Sequence, residues 1–245
     1  MIARGLWVAL MAAIAAVTIC VQLDRESRYK PEYASIVPEP ARAFALAHLV
    51  TSELRSGNRS KAELAAERLV ERRPMPAENL RLLSLAQFRA AQSEAARSAL
   101  QQSARRGWRD RLAQQAMLQF ALRSNDQPEA ARRFAALFAL NDLEPAELAP
   151  LARRVFKPGN GEAKAVFAQI VADAERWNGR FLNRGLQVLE PTVFIDVFQR
   201  ALSAGGRFDC QKMRIAAQRL RRMDEAAGAV FDQPLEACSK ASDFD

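Results

Sequence analysis

The sequence predicts an all-α protein built from stacked helical hairpins, and three observations lead there. Ala, Leu, Arg, Glu and Gln, all strong helix formers, dominate the chain, and no alternating strand run follows residue 23. The segments RSGNRSKAELAAERL, RAAQSEAARSALQQS and RSNDQPEAARRFAAL fall into line when the sequence is shifted by 34. Within that register Gly57, Ala91 and Asn125 share the turn position, Ala62, Ala96 and Ala130 a small position after it, and Leu49, Leu83 and Met117 an apolar position before it. A single helix pair cannot bury its apolar face alone, so repeated pairs stack to create a core.

The first element is apolar. Gly5 to Leu23 (GLWVALMAAIAAVTICVQL) carries no charge and is followed at once by Asp24-Arg25-Glu26. At about 1.5 Å per residue this run matches the hydrocarbon thickness of a bilayer, which predicts a transmembrane anchor over 5–23 after a cytoplasmic end at 1–4. A cleaved signal peptide competes with that reading. Its Ala-x-Ala site, Ala13-Ile14-Ala15, leaves a short hydrophobic core and a mature end that still reads VTICVQL, and Val17-Thr18-Ile19-Cys20 carries a large Ile before the Cys of a lipoprotein box. Arg4 and the amino group are set against Arg25, Arg28 and Lys30, and for so short a leading segment the expected outcome is a cytoplasmic amino end with the bulk exported, as in a single-pass inner membrane protein. Residues 24–40 read as a Pro-containing, semi-rigid spacer, in which Glu32 to Pro40, set among Pro31, Pro38 and Pro40, is expected to run extended.

The repeats occupy 41–178, as units 43–76, 77–110, 111–144 and a degenerate 145–178. Leu46, Leu49, Val50 and Leu54 share one helical face before the Ser56-Gly57-Asn58 turn, and Ala62, Ala66, Leu69 and Val70 share one after it. In the last unit Leu148, Leu151, Ala152, Val155 and Phe156 precede Pro158-Gly159-Asn160-Gly161, with Gly159 again 34 beyond Asn125 and Lys164 in place of the small residue. A period of this length made of two helices and a turn resembles the tetratricopeptide repeat (TPR) family. The resemblance implies a right-handed α-solenoid in which the first helices of successive units line a concave, protein-binding face. This chain departs from the family pattern at the usual large aromatic (Leu46, Leu80, Gln114) and the usual small eighth residue (Val50, Ser84, Leu118), and only Pro74 closes a repeat. Ala47 and Thr51 stand where some members carry the Lys and Asn of a carboxylate clamp, so a chaperone-tail clamp is not expected.

Residues 179–245 read as a helical cap and an acidic tail. Helices are expected over Phe181–Leu189, over Pro191–Ser203, and through Cys210, Met213, Ile215 and Leu220, with Pro191 suited to a first turn and Phe194, Val197, Phe198 and Ala201 forming a helical stripe. The basic run Arg214, Arg219, Arg221 and Arg222 is followed by Asp224, Glu225, Asp232, Glu236, Asp243 and Asp245, an arrangement that allows the tail to fold back on its own basic helix. Cys210 and Cys238 are the cysteines beyond the anchor. In an oxidising space they are expected to pair as a disulfide, the alternative being two free thiols.

The net charge of +8 is nearly all Arg. Behind a membrane anchor nucleic acid is not the expected partner, which leaves anionic lipid, acidic glycan or an acidic protein face, or simply solvated helix surfaces. His48 stands alone, there is no paired Cys motif, and Gly159-Asn160-Gly161 lacks the third glycine of a dinucleotide loop, so neither enzyme activity nor a metal or cofactor is expected. One ladder does stand out. Arg55, Arg89, Arg123 and Lys157 recur at the 34 spacing, each preceded by a large apolar residue: Leu54, Phe88, Leu122 and Phe156. Such a ladder suits a partner segment bearing acidic and apolar side chains, while helix-closing cations that complement the dipole are the plainer explanation. Two functions follow as expectations. One is an anchored TPR-like scaffold for envelope proteins in assembly, secretion or quality control. The other is an accessory factor of polysaccharide export or cell-wall work that holds an acidic glycan or lipid on its Arg-rich face.

Overall fold

In a computed structural model describing residues 2–174, 178–223 and 225–242, a left-handed residue stands in the turn of each hairpin. Gly57 (φ 78°), Ala91 (φ 64°), Asn125 (φ 55°) and Gly159 (φ 89°) all lie in that region, at the spacing read from the sequence. The helices before these turns are α2 (Ala45–Ser56), α4 (Ala77–Arg89), α6 (Arg111–Arg123) and α8 (Pro145–Val155), and those that return are α3 (Arg59–Arg72), α5 (Ser93–Arg106), α7 (Gln127–Ala139) and α9 (Gly161–Asp173). Three of the turns bond alike, with the N–H of Asn58, Gln92 and Asp126 donating to the carbonyls of Glu53, Gln87 and Ala121 at 3.0, 2.9 and 2.9 Å. Carbonyls left open at the helix end are satisfied that way. In the fourth turn the side-chain amide of Asn160 donates instead, 2.8 Å from the Val155 carbonyl.

All described residues fall in helices, turns and loops, without a strand, and they divide into two compact units, Met1–Ala113 and Gln114–Asp245. In the first, Leu46, Val50, Ala62, Ala66, Leu69 and Ala86 form a core between α2, α3 and α4. Ser84, at the eighth place of its repeat, donates to the Ala96 carbonyl at 2.7 Å, and Ser103 donates to that of Ala77 at 2.8 Å, so α4 and α5 meet closely through two buried hydroxyls. The sites where the TPR pattern is broken still face inward: Leu46, Leu80, Gln114, Val50, Ser84 and Leu118 are all buried.

The apolar segment is a helix, α1 (Ile2–Ser27), long and apolar enough to cross a membrane or to be a signal sequence, with mean hydropathy 2.3 and none of its apolar window buried. Its last turn belongs to the fold. Asp24 is 4% exposed, and its carboxylate accepts the N–H groups of Ala43, Phe44 and Ala45 at 2.8, 3.0 and 2.9 Å. These are orphan donors at the start of α2, whose own preceding residue offers no side-chain cap. Residues 24–40 therefore do not run extended. Pro31–Ser35 and Glu39–Ala41 form short 3₁₀ turns, Ala34 and Val37 bury against Leu23, Ala41 and Ala45, and Arg72 donates to the carbonyls of Glu39, Pro40 and Arg42. The prolines sit at the first positions of these turns, where a missing N–H goes unnoticed.

In the second unit α10 (Asn178–Val188), α11 (Pro191–Ser203) and α12 (Cys210–Met223) occur where helices were expected. Phenylalanines thread its core: Phe134, Phe138, Phe156, Phe167, Phe181, Phe194, Phe198 and Phe231 are buried, with neighbouring ring centres 4.4 to 6.4 Å apart. The loop after α7 is held from α10, where Arg184 reaches the carbonyls of Phe138, Leu140 and Leu143 and Arg180 that of Ala139. A one-turn helix, α13 (Glu225–Gly228), leads to α14 (Asp232–Ser242), which folds back on α12 through the Arg221–Asp232 ion pair and a Cys210–Cys238 disulfide with Cα atoms 6.0 Å apart. Asp224, Asp243 and Asp245 lie outside the described residues.

Lys164 departs from the small-residue register because Ala163, one place earlier, is the residue fully buried, and the lysine instead reaches Asp196 on α11 at 3.0 Å. Burial works against ionisation of Asp196, but hydrogen bonds from Arg200 and Lys164 and their charges outweigh it, holding the carboxyl below its ordinary range. A depressed pKa adds stability that is whole above the unfolded value and is lost as pH falls through the folded one. Asp196→Asn is therefore expected to lower the urea midpoint at pH 6, with the gap to wild type closing below about pH 4. A gap constant with pH would contradict the charge assignment.

Ala91 supplies a second test, since a left-handed alanine costs roughly 1–2 kcal/mol that glycine avoids. In urea titrations of the full chain in detergent, Ala91→Gly should raise stability by about 0.5–1 kcal/mol despite the entropy it adds to the unfolded chain, and Gly57→Ala should lower it by about 1 kcal/mol. An unchanged or lower midpoint for Ala91→Gly would contradict the turn geometry.

Candidate functional site

Between α2 and α4 of the first unit lies an open groove of about 660 Å³. From α2 it is lined by Ala47, His48, Thr51, Leu54 and Arg55, and from α4 by Arg81, Leu82, Leu85 and Arg89. Eight of the nine are the same repeat positions twice over, 47 and 81, 48 and 82, 51 and 85, 55 and 89 each differing by 34; Leu54 is the ninth. On each helix the spacing of four puts the residues in one stripe. Two parallel stripes in register are what a repeated pair of first helices should present.

The groove has an apolar floor and a cationic rim. Leu82 and Leu54 are half-buried and Leu85 is 41% exposed, while Phe88, beside Arg89 in sequence, is 65% exposed outside the lining. Arg55 and Arg89 are exposed, whereas Arg81 is held in place by Asp110, 2.9 Å away. Asp110 is itself fixed, since its other oxygen accepts the Ala113 N–H at 3.1 Å at the start of α6. One cation of the groove is thus anchored by the turn that follows its own hairpin. His48 is half-buried in the wall, consistent with a packing role.

Of the eight ladder residues, Leu54, Arg55 and Arg89 meet in this groove. Leu122 and Lys157 meet in a much smaller recess of the second unit, about 20 Å³, together with Arg154 and Asn160. Phe156 is a core residue, packed edge-on to Phe134 with ring centres 5.1 Å apart, and Arg123 is exposed at the end of α6. The apolar half of the ladder therefore divides: Phe88 exposed, Leu54 and Leu122 half-buried, Phe156 buried. Arg81, Leu82 and Leu85 were not singled out from the sequence. Carrying the 34 shift onward from Ala47, His48 and Thr51 would have found them, but the residue types at those places differ too much to attract notice.

Among the described residues no group of three or more His, Cys, Asp or Glu side chains could hold a metal ion. No protein-family model, curated protein or solved structure matches the chain.

Proposed function

We propose that the chain is a membrane-anchored, TPR-like scaffold whose first helices present a groove to an acidic, apolar segment of a partner protein at the cell envelope. The observation that carries this reading is the groove between α2 and α4, lined by four matched pairs of repeat positions and Leu54, and combining half-buried Leu54 and Leu82 and exposed Leu85 with Arg55, Arg81 and Arg89. Exposed apolar surface rimmed by polar groups marks interaction sites, and a cationic rim selects acidic partners. Hairpins repeating at 34, each with a left-handed residue in its turn, support a solenoid in which such positions recur. The corresponding places in the next units are Gln115, Ala116, Gln119 and Arg123, then Ala149, Pro150, Arg153 and Lys157.

In this reading α1 stays in the inner membrane with its amino end in the cytoplasm and the remainder exported. The bond between Cys210 and Cys238 suits an oxidising compartment, and the burial of Asp24 and Ser27 ties the end of α1 into the folded unit rather than leaving it as a detachable leader.

Reversing both exposed cations tests the groove. Arg55→Glu with Arg89→Glu alters only surface positions, so the melting temperature should hold while recovery of co-purifying envelope proteins from detergent-solubilised membranes drops by about tenfold or more, the equivalent of about 1.4 kcal/mol. Quantitative mass spectrometry gives the comparison. The same partners in the same amounts would contradict the groove reading. Partners lost from wild type on adding salt, with only acidic glycan retained at low salt, would favour an accessory glycan-binding role instead.

A further inference from the structure

Where α1 enters the folded unit, two guanidinium groups share one aromatic ring. Arg73 lies 3.7 Å from the centre of the Phe44 ring, and Arg28 lies 5.9 Å from the same centre and 5.6 Å from that of Tyr29. Phe44 is one of the residues whose N–H is capped by Asp24, so the cation pair is locked to the last turn of α1, just past the end of the apolar run at Leu23. Both oxygens of Asp24 accept backbone N–H groups. Among the described residues neither Arg28 nor Arg73 forms an ion pair.

Like charges gathered on a ring repel each other unless an anion lies between them. Partial burial and then the proximity of Arg28 lower the pKa of Arg73, against the opposing pull of Asp24 and Glu78, which agrees with that crowding. The surroundings are those of a membrane surface. Arg25, Arg28 and Lys30 are exposed, Lys30 lies 5.5 Å from the Tyr33 ring, and Tyr29 and Ile36 are 73% and 64% exposed. Tyrosine and basic side chains at the end of a spanning helix sit at headgroup depth. Glu26 and Glu32 are the exposed acids of the same stretch, outnumbered by these cations.

We propose that the Arg28–Phe44–Arg73 cluster binds the phosphate of an anionic phospholipid in the membrane that α1 crosses. This rests on the reading of α1 as a membrane anchor. Guanidinium forks pair with phosphate oxygens in geometry that a lysine does not reproduce, and the ring holds both forks in place before the lipid arrives. The lipid would stabilise the junction between anchor and fold, since a ligand bound only to the folded state shifts the unfolding equilibrium.

The test uses the full chain reconstituted into phosphatidylcholine vesicles with and without phosphatidylglycerol. The unfolding midpoint followed by circular dichroism should be higher by about 2–4 °C with phosphatidylglycerol. Inorganic phosphate added to phosphatidylcholine vesicles should not reproduce the rise. Arg28→Gln should lose the phosphatidylglycerol response, measured against its own midpoint in phosphatidylcholine, and Arg214→Gln on α12, an exposed position outside the cluster, should keep it. Equal midpoints in the two vesicles, an undiminished response in Arg28→Gln, or a full response to inorganic phosphate would each overturn the proposal. Alkaline carbonate washing of the same vesicles separates the two ideas: a retained chain with no lipid response sinks the lipid site alone, and a released chain sinks the anchor reading with it.

Discussion

A backbone that must turn left-handed once every 34 residues is the constraint on which each hairpin depends. At Gly57, Ala91, Asn125 and Gly159 the chain leaves its first helix with φ between 55° and 89°, and the returning helix starts within two or three residues. So short a reversal forces the two helices to pack side by side. Ala62, Ala96 and Ala130, all buried, then set how closely they approach. Where the side chain in that register is large, as at Lys164, burial shifts to Ala163 and the lysine becomes a bridge to Asp196 in the next hairpin. The repeat is therefore conserved as geometry within the chain even where its residue types drift.

Local signals made much of this legible. Turn residues, apolar stripes and a helix-starting proline each act over a few positions, so Pro191 marked α11 and the Gly57 register marked the hairpins. Contacts across longer separations were not legible. Nothing near α2 in sequence announces that its first N–H groups are capped by Asp24, some twenty residues earlier. For the same reason residues 24–40, judged by their prolines, read as an extended spacer, whereas tertiary contacts fold them into 3₁₀ turns. The Arg surplus was likewise read as binding surface or as solvated faces. Arg72, Arg180 and Arg184 show a third use, as donors that reach backbone carbonyls of another segment.

The candidate groove was legible in half. The 34 spacing picked out Arg55, Arg89 and Leu54, because like residues recur there; it passed over Arg81, Leu82 and Leu85, which replace Ala47, His48 and Thr51 at the same repeat positions. Position within the repeat, rather than residue identity, decides what faces the groove. Local packing still overrides it: Phe156 shares its repeat position with Phe88 yet belongs to the core, among Phe134 and Phe167, while Phe88 stands exposed.

The α2–α4 groove is the proposed working face of the protein. A photo-crosslinking side chain placed at Leu85 inside the groove, with Leu64 on α3 as an equally exposed control outside its lining, tests that claim in intact cells. Protein adducts are expected at Leu85, with the captured peptides carrying Asp or Glu beside apolar residues, and none of those adducts at Leu64. The same adducts from both positions, or none from Leu85, would contradict it.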